Sequence, residues 1–153
     1  MKDQLTGLLN PAAFKLLVEH ELLVARRYQR LDTLLVIDVE NLRAINAVFG
    51  FEGGDETLRA VGQLLQRTAR ESDVVGRIGD DEFAIFAIDS SGDALAKRIS
   101  KAVSRAVTRG YGTVTRPLAV RVRIGVTEVR PGEDFEELIA RAGPAAFLKA
   151  RGR

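Results

Sequence analysis

Apolar residues along this chain follow the two periods of regular secondary structure. Residues 11–30 carry apolar side chains at the spacing of an amphipathic helix, with Asn10 as its cap and Pro11 in its first turn. The apolar face of this helix comprises Phe14, Leu17, Val18, Leu22 and Ala25. Residues 33–39 instead form an almost continuous apolar run that contains one carboxylate, Asp38. Such a run is typical of a buried central strand, which here ends at that carboxylate.

Further along, helical and extended patterns alternate between breaks that contain glycine or proline. We predict a helix over 41–49 that ends at Gly50, a helix over 53–69, a hairpin of strands 74–78 and 83–88 with its tight turn at 79–80, a helix over 93–108, a loop or short ribbon over 110–116, a strand over 118–126 with one wetter face, and a final helix over 135–150. This order predicts an α+β sandwich of the α/β class. Its helices flank a central, mainly antiparallel five-stranded sheet with a broadly ferredoxin-like arrangement.

The composition is that of an ordinary globular domain. At 153 residues, of which 46% are hydrophobic, the chain is long enough for one domain with a substantial core. The absence of cysteine excludes disulfides and thiolate chemistry, and a net charge of +2 with few aromatic residues argues against nucleic-acid binding. No apolar run approaches the roughly 18 residues of a membrane-spanning helix. We therefore expect a cytoplasmic domain without membrane contact.

Three consecutive acids, Asp80, Asp81 and Glu82, lie at the predicted hairpin tip. Like charges this close are unfavourable unless a cation binds them. If the hairpin neighbours the strand that ends at Asp38, the carboxylates converge on one edge of the sheet and offer the oxygen ligands that Mg²⁺ prefers. The alternative is that Asp38 caps the helix that follows it and the hairpin acids are solvated.

Five short segments match the signatures of one protein family in order and spacing. They are DQLTGLLN at 3–10, VIDVENLRAIN at 36–46, GFEGGD at 50–55, RESD at 70–73 and GDDEF at 79–83. On these segments the chain resembles the GGDEF family of diguanylate cyclases, which join two GTP molecules into cyclic di-GMP. The resemblance extends over nearly the whole chain and implies the nucleotidyl-cyclase-like fold of that family.

The resemblance implies a metal-dependent catalytic centre. Asp38 and Asp81, with the carbonyl of Val39, would hold Mg²⁺ or Mn²⁺ when nucleotide is bound. Glu82 would lie beside the attacking 3′-hydroxyl as ligand or base, so Asp81 and Glu82 are the candidate catalytic residues.

The resemblance also implies a substrate site for GTP. Asn46 and Asp55 would hydrogen-bond the guanine edge, because a carboxylate can accept from the N–H groups of guanine and an amide can complete the edge. Arg43 would face the triphosphate, and Gly79 and Asp80 would form the loop that contacts it. The alternatives are a polar residue near a helix end for Asn46 and a helix cap for Asp55.

A second nucleotide site is implied at Arg70 and Asp73, which match the family's product-inhibition motif. There Arg70 would bind a phosphate or stack on guanine, and Asp73 would bind a guanine edge. The alternative is an ordinary surface ion pair at a helix end.

The chain departs from the family pattern at several positions. Asp80 replaces a glycine, which places a carboxylate where a phosphate would approach. Gly143 replaces an aspartate, Ala150 falls at the position of a phosphate-binding lysine with Lys149 one residue away, and Phe51 replaces a histidine. A shift of one residue rotates a side chain by about 100° around the helix axis, so Lys149 would point in a different direction from the family's lysine. Phe147 keeps the family's aromatic position.

These departures predict a GGDEF domain with weak or no cyclase activity that regulates by binding cyclic di-GMP or GTP. One alternative is an active diguanylate cyclase that pairs with a second copy, because each domain of an active pair presents one GTP. Another is a protein-interaction domain that binds no nucleotide. We expect residues 1–153 to form a single domain of a longer, multidomain signalling protein, with partner domains and a possible homodimer.

Overall fold

The computed structural model describes residues 1–108 and 118–143. Its elements, in chain order, are α1 (Pro11–Tyr28), β1 (Thr33–Val39), α2 (Leu42–Thr68), β2 (Val74–Arg77), β3 (Glu82–Ala87), α3 (Asp93–Ser104), β4 (Val107–Thr108), β5 (Leu118–Ala119), β6 (Val122–Glu128) and α4 (Phe135–Ala142). The predicted α+β class is confirmed. Among the described residues, no helix combines the length and apolar character needed to cross a bilayer.

The described strands form a four-stranded sheet in the order β2-β3-β1-β6 and a separate two-stranded ribbon of β4 and β5. All named pairings are antiparallel. The prediction of five strands in the central sheet is therefore wrong for the described part of the chain, as is the prediction of one continuous strand over 118–126.

The side chain of Asn41 explains where that predicted strand divides. Its amide nitrogen donates to the carbonyl of Ala119 at 2.7 Å, and its amide oxygen accepts from the N–H of Arg121 at 2.9 Å. In the segment that joins β5 to β6, these bonds take the place of hydrogen bonds to a neighbouring strand. The main chain there is therefore bound by a side chain, and the predicted strand divides.

Helices cover both faces of the sheet and enclose two apolar clusters. α2 and α3 pack on one face, against Leu35, Ile37 and other inward residues of β1 and β3. α1 and α4 pack on the opposite face, against Leu34 and its neighbours. Successive residues of a strand point to opposite faces, so Asp38 shares the α1 and α4 face with Leu34 and Val36.

Several predicted boundaries shift. Leu17 is 43% exposed and does not belong to the core face of α1. α3 ends at Ser104 rather than continuing to 108, because β4 already begins at Val107. α4 ends because Gly143 adopts a left-handed conformation and its N–H donates to the carbonyl of Ile139. The predicted helix beyond 143 and the predicted loop at 110–116 lie outside the described residues.

The bend within α2 depends on one glycine. The predicted break at Gly50 is confirmed, but the helix resumes directly after it instead of at residue 53. Gly50 has φ 75° and ψ 178°, a region that residues with a Cβ essentially do not occupy. The bend turns the first segment of α2 back toward the second.

We expect Gly50→Ala to lower the free energy of unfolding by about 1–3 kcal/mol, because alanine is strained at this backbone conformation. Urea unfolding followed by circular dichroism measures the loss. Gly125→Ala is the matched control, since a Cβ there meets no atom within 4 Å and Gly125 has no positive φ; it should change stability by less than about 0.5 kcal/mol. Equal effects of the two substitutions would contradict the role of Gly50.

Candidate active site

Three charged residues form a row across the central sheet. Asp38 of β1 lies directly opposite Glu82 of β3 and directly opposite Arg123 of β6. Residues paired in this way lie on one face with their Cβ atoms about 5 Å apart. A guanidinium nitrogen of Arg123 lies 3.2 Å from Oδ2 of Asp38, and its Nε lies 3.8 Å from Oε1 of Glu40. The predicted convergence of Asp38 and the hairpin acids on one sheet edge is therefore present, together with a cation that the sequence pattern did not identify.

Asp81 lies just before β3, beside the end of β1. Its carbonyl accepts from the N–H of Val39 at 2.9 Å, which holds the hairpin loop against the central strand. Burial raises the pKa of the Asp81 carboxyl above its ordinary value, and the negative charges of Asp38 and Asp80 raise it further. The carboxylates of Asp38 and Asp81 thus interact unfavourably, and a cation between them would relieve that repulsion.

The loop between β2 and β3 spans residues 78–81, longer than the predicted two-residue turn at 79–80. The N–H groups of Ile78 and Gly79 both donate to the carbonyl of Glu82, at 2.9 and 3.2 Å. Outside glycine, the described residues with positive φ are Gln29 and Asp89, so Asp80 is not strained. With Asp80 in place of the family's glycine, the loop gains charge and bulk, and Asp80 needs no positive φ.

Arg77 anchors this loop to the first segment of the chain. One guanidinium nitrogen donates to the carbonyl of Asp80 at 2.7 Å, and another lies 3.2 Å from Oδ1 of Asp3. Burial raises the pKa of Asp3, but hydrogen bonds from Thr6 and the charge of Arg77 outweigh it and hold the pKa below its ordinary value. Residues 3–10 match a family signature, but their sequence alone does not predict this contact with Arg77.

The predicted guanine-reading residues lie together around the bend of α2. The side-chain oxygen of Asn46 is buried and has no hydrogen-bond partner among the residues that the structure describes, although the residue itself is half-buried. It lies so close to Gly54 that a Cβ there would be 1.7 Å away. Asp55 follows Gly54 and is exposed, and Phe51, one helical turn earlier on the same side, is 80% exposed. A buried acceptor beside an exposed carboxylate suits a ligand edge rich in N–H donors, such as guanine.

The first turn of α2 directly follows the acidic row. The N-cap of α2 is Asn41, so the alternative in which Asp38 caps this helix is wrong. Asn41 makes no side-chain cap bond, because its amide is engaged with Ala119 and Arg121. Arg43 lies exposed in this first turn. A helix N-terminus with an exposed arginine favours anions.

The donor set suits a magnesium ion only in part. Asp38, Asp81 and the main chain of Val39 meet at one edge and offer oxygen ligands. Within residues 1–108 and 118–143, however, no group of three or more histidine, cysteine or carboxylate side chains surrounds a common metal position. A metal here would need further oxygen ligands, which nucleotide phosphates and water commonly supply.

Arg70 and Asp73 lie at the opposite end of the β2–β3 hairpin, roughly 15 Å from the acidic loop at the usual rise per residue. Asp73 is 1% exposed and accepts from the N–H groups of Arg70 and Ile88, at 2.9 and 3.1 Å. The Arg70 side chain is 52% exposed, lies 3.5 Å from Asp73 and donates to the carbonyl of Ile88. Asp73 thus positions the loop, while Arg70 presents an accessible guanidinium.

The described fold is that of known proteins of one family. The family model "Diguanylate cyclase, GGDEF domain" matches residues 1–152. The chain is 31% identical to the probable diguanylate cyclase DgcC of Escherichia coli, over 98% of this chain and 40% of that protein. It is also 31% identical to the cyclic di-GMP phosphodiesterase NbdA of Pseudomonas aeruginosa, over 99% of this chain and 19% of that protein.

A solved structure agrees with this assignment. The GGDEF domain of DgcB from Caulobacter crescentus, in complex with cyclic di-GMP, superposes with a TM-score of 0.85 at 26% identity. The match covers 99% of this chain and 90% of that one. The chain therefore belongs to the GGDEF domain family, as its signature segments predicted, and spans well under half the length of the two curated relatives named above.

Because the pKa of the Asp81 carboxyl is raised in the folded state, the free energy of unfolding of the domain depends on pH. Because the folded pKa lies above the ordinary value of 3.8, ionisation of Asp81 works against folding at neutral pH. We expect Asp81→Asn to raise the thermal midpoint at pH 7, and the gain to shrink as the pH falls through the folded pKa and to vanish well below 3.8, where both states are protonated. Differential scanning calorimetry across this range measures it, with exposed Glu19→Gln as the charge-matched control. A lower midpoint for Asp81→Asn at pH 7 would disprove the repulsion.

Proposed function

We propose that this domain serves in cyclic di-GMP signalling as a nucleotide-binding regulatory module with weak or no cyclase activity. It binds cyclic di-GMP through the accessible guanidinium of Arg70, which Asp73 positions, or GTP at the candidate active site. It works in the cytoplasm, where GTP is available, as one domain of a longer protein whose other domains receive its signal.

The negative charge of Asp80 carries this proposal. Its carboxylate is exposed on the loop that would face the triphosphate, and its charge already acts on Asp81. A triphosphate would bring further negative charge to the same place. Since the loop backbone is unstrained and held by Arg77, the loop keeps its position while its charge disfavours the substrate.

With nucleotide and metal bound, the residues of the candidate active site would have separate roles. Asp38, Asp81 and the Val39 carbonyl would hold Mg²⁺ or Mn²⁺, which neutralises phosphate charge and acidifies a bound hydroxyl. Glu82 would accept a hydrogen bond or proton from the 3′-hydroxyl. Asn46 would contribute to reading guanine.

Arg43 and Asp55 complete the proposed substrate site. Arg43 and the N-terminus of α2 would attract the phosphates, and Asp55 would accept from the guanine N–H groups. Gly79, whose N–H donates to Glu82, keeps the loop close to the substrate position.

An active cyclase is the second candidate. The unstrained loop and the close approach of Asn46 to Gly54 support it, because both are compatible with a substrate bound at the loop and at the bend of α2. Such an enzyme would need a second copy of the domain to present the other GTP. Turnover of GTP to cyclic di-GMP by the concentrated protein distinguishes the two candidates.

We expect cyclic di-GMP to bind the wild-type domain and Arg70→Ala to weaken it at least about tenfold, because charge-assisted hydrogen bonds to phosphate are lost. Isothermal titration calorimetry measures both. Arg67→Ala is the control, since Arg67 is likewise an exposed arginine and lies in the last turn of α2, three residues before Arg70.

Two results would contradict this site. Equal affinity in Arg70→Ala and wild type would place cyclic di-GMP elsewhere. No heat with either cyclic di-GMP or a non-hydrolysable GTP analogue plus Mg²⁺ would leave the protein-interaction alternative.

We expect Asp80→Asn to bind the GTP analogue about five- to tenfold more tightly than wild type, because it removes one unit of charge near the phosphates without changing the loop. The same titration measures it, with Glu19→Gln as a control for net charge. The gain should fall as salt is raised, since screening weakens the repulsion. Unchanged affinity at low salt would show that Asp80 does not face the substrate.

A further inference from the structure

Arg123 is a charged residue of the candidate active site that lies outside the five family signature segments. It lies opposite Asp38 across the β1–β6 pairing, and the two side chains form an ion pair of 3.2 Å. The Arg123 side chain is 70% exposed and that of Asp38 is 29% exposed. The contact is therefore not a buried structural pair that the core requires.

We propose that Arg123 is a tethered cation that competes with a divalent metal ion for Asp38. This inference rests on the proposed metal-binding role of Asp38 and Asp81. A metal ion needs the carboxylate oxygen that the guanidinium now contacts, and a guanidinium beside a doubly charged ion is repelled. Arg123 must leave Asp38 before a metal binds there.

The guanidinium of Arg123 also contacts a second carboxylate, with which it can stay paired when it leaves Asp38. Its Nε lies 3.8 Å from Oε1 of Glu40, which is 41% exposed and lies two residues beyond Asp38. Exposed ion pairs are weak, so exchange between the two carboxylates costs little. With Arg123 on Asp38 the metal site is blocked, and with Arg123 on Glu40 it is open.

The carboxylate of Asp81 is not neutralised by Arg123 while Arg123 is paired with Asp38. Asp81 lies on the other side of Asp38 from Arg123, just before β3, and the positive charge that acts on it comes from Arg77. Arg123 therefore satisfies only one of the two metal-binding carboxylates. The blocked site remains poised for a metal, at reduced affinity.

The test measures Mn²⁺ binding alone, without nucleotide, by electron paramagnetic resonance of free Mn²⁺. Arg123→Gln should tighten Mn²⁺ binding about five- to tenfold, because it removes both the competing ion pair and the nearby positive charge. Arg121→Gln is the matched control, since it removes the same charge two residues away on an exposed side chain without an ion pair to Asp38. It should change the affinity less than about twofold.

Two further variants define the mechanism. Arg123→Lys keeps the charge and should bind Mn²⁺ closer to wild type than Arg123→Gln does. Asp38→Asn should weaken Mn²⁺ binding in both the wild-type and Arg123→Gln backgrounds, because the contested ligand is gone. All variants are checked for folding by thermal denaturation, and loss of a weak exposed pair should leave the midpoint nearly unchanged.

Equal Mn²⁺ affinity in Arg123→Gln and Arg121→Gln would overturn the proposal, as would absence of Mn²⁺ binding in every variant. Unchanged Mn²⁺ affinity with weaker binding of a GTP analogue would identify Arg123 as a phosphate contact instead, which also overturns it. Cyclic di-GMP binding at Arg70 is measured on the same proteins. Its failure would count against the proposed function without bearing on the competition at Asp38.

Discussion

The antiparallel register of β1 with its two neighbours determines which charges meet in this domain. Leu34 and Val36 are packed on the same face of β1 as Asp38, against α1 and α4. A slip of one residue would turn that whole set to the other face. The apolar core therefore fixes the charged row of Glu82, Asp38 and Arg123, although none of these residues belongs to the core.

The β2–β3 hairpin connects the two candidate nucleotide sites and is fixed at both ends by side chains that bind the main chain. At one end Arg77 holds the carbonyl of Asp80. At the other end the buried carboxylate of Asp73 binds the N–H groups of Arg70 and Ile88. Each anchor satisfies main-chain groups that loops would otherwise leave to water. The hairpin thus acts as a spacer of fixed length between the acidic loop and the exposed guanidinium of Arg70.

Much of the fold and the site could be predicted from local patterns. The helix cap at Asn10, the strand around Asp38 and the break at Gly50 depend on neighbouring residues and are confirmed. The division of the last strand depends on Asn41, about 80 residues distant, and no local pattern reports such a bond. Likewise Arg123 is one of 23 basic residues, and only the register of the sheet distinguishes it from the rest.

Asp80 and Arg123 have opposite effects on each component of a metal–nucleotide complex. Asp80 attracts the cation and disfavours the phosphates, whereas Arg123 does the reverse. Their positions decide which effect is stronger for the metal. Arg123 contacts a proposed metal ligand at 3.2 Å, while Asp80 is exposed and its charge is screened by solvent. For the phosphates the effect of Asp80 is the stronger one, because the charge of Arg123 is already paired with Asp38 and Glu40. Each of these two residues therefore weakens binding of the component that it repels more than it strengthens binding of the component that it attracts.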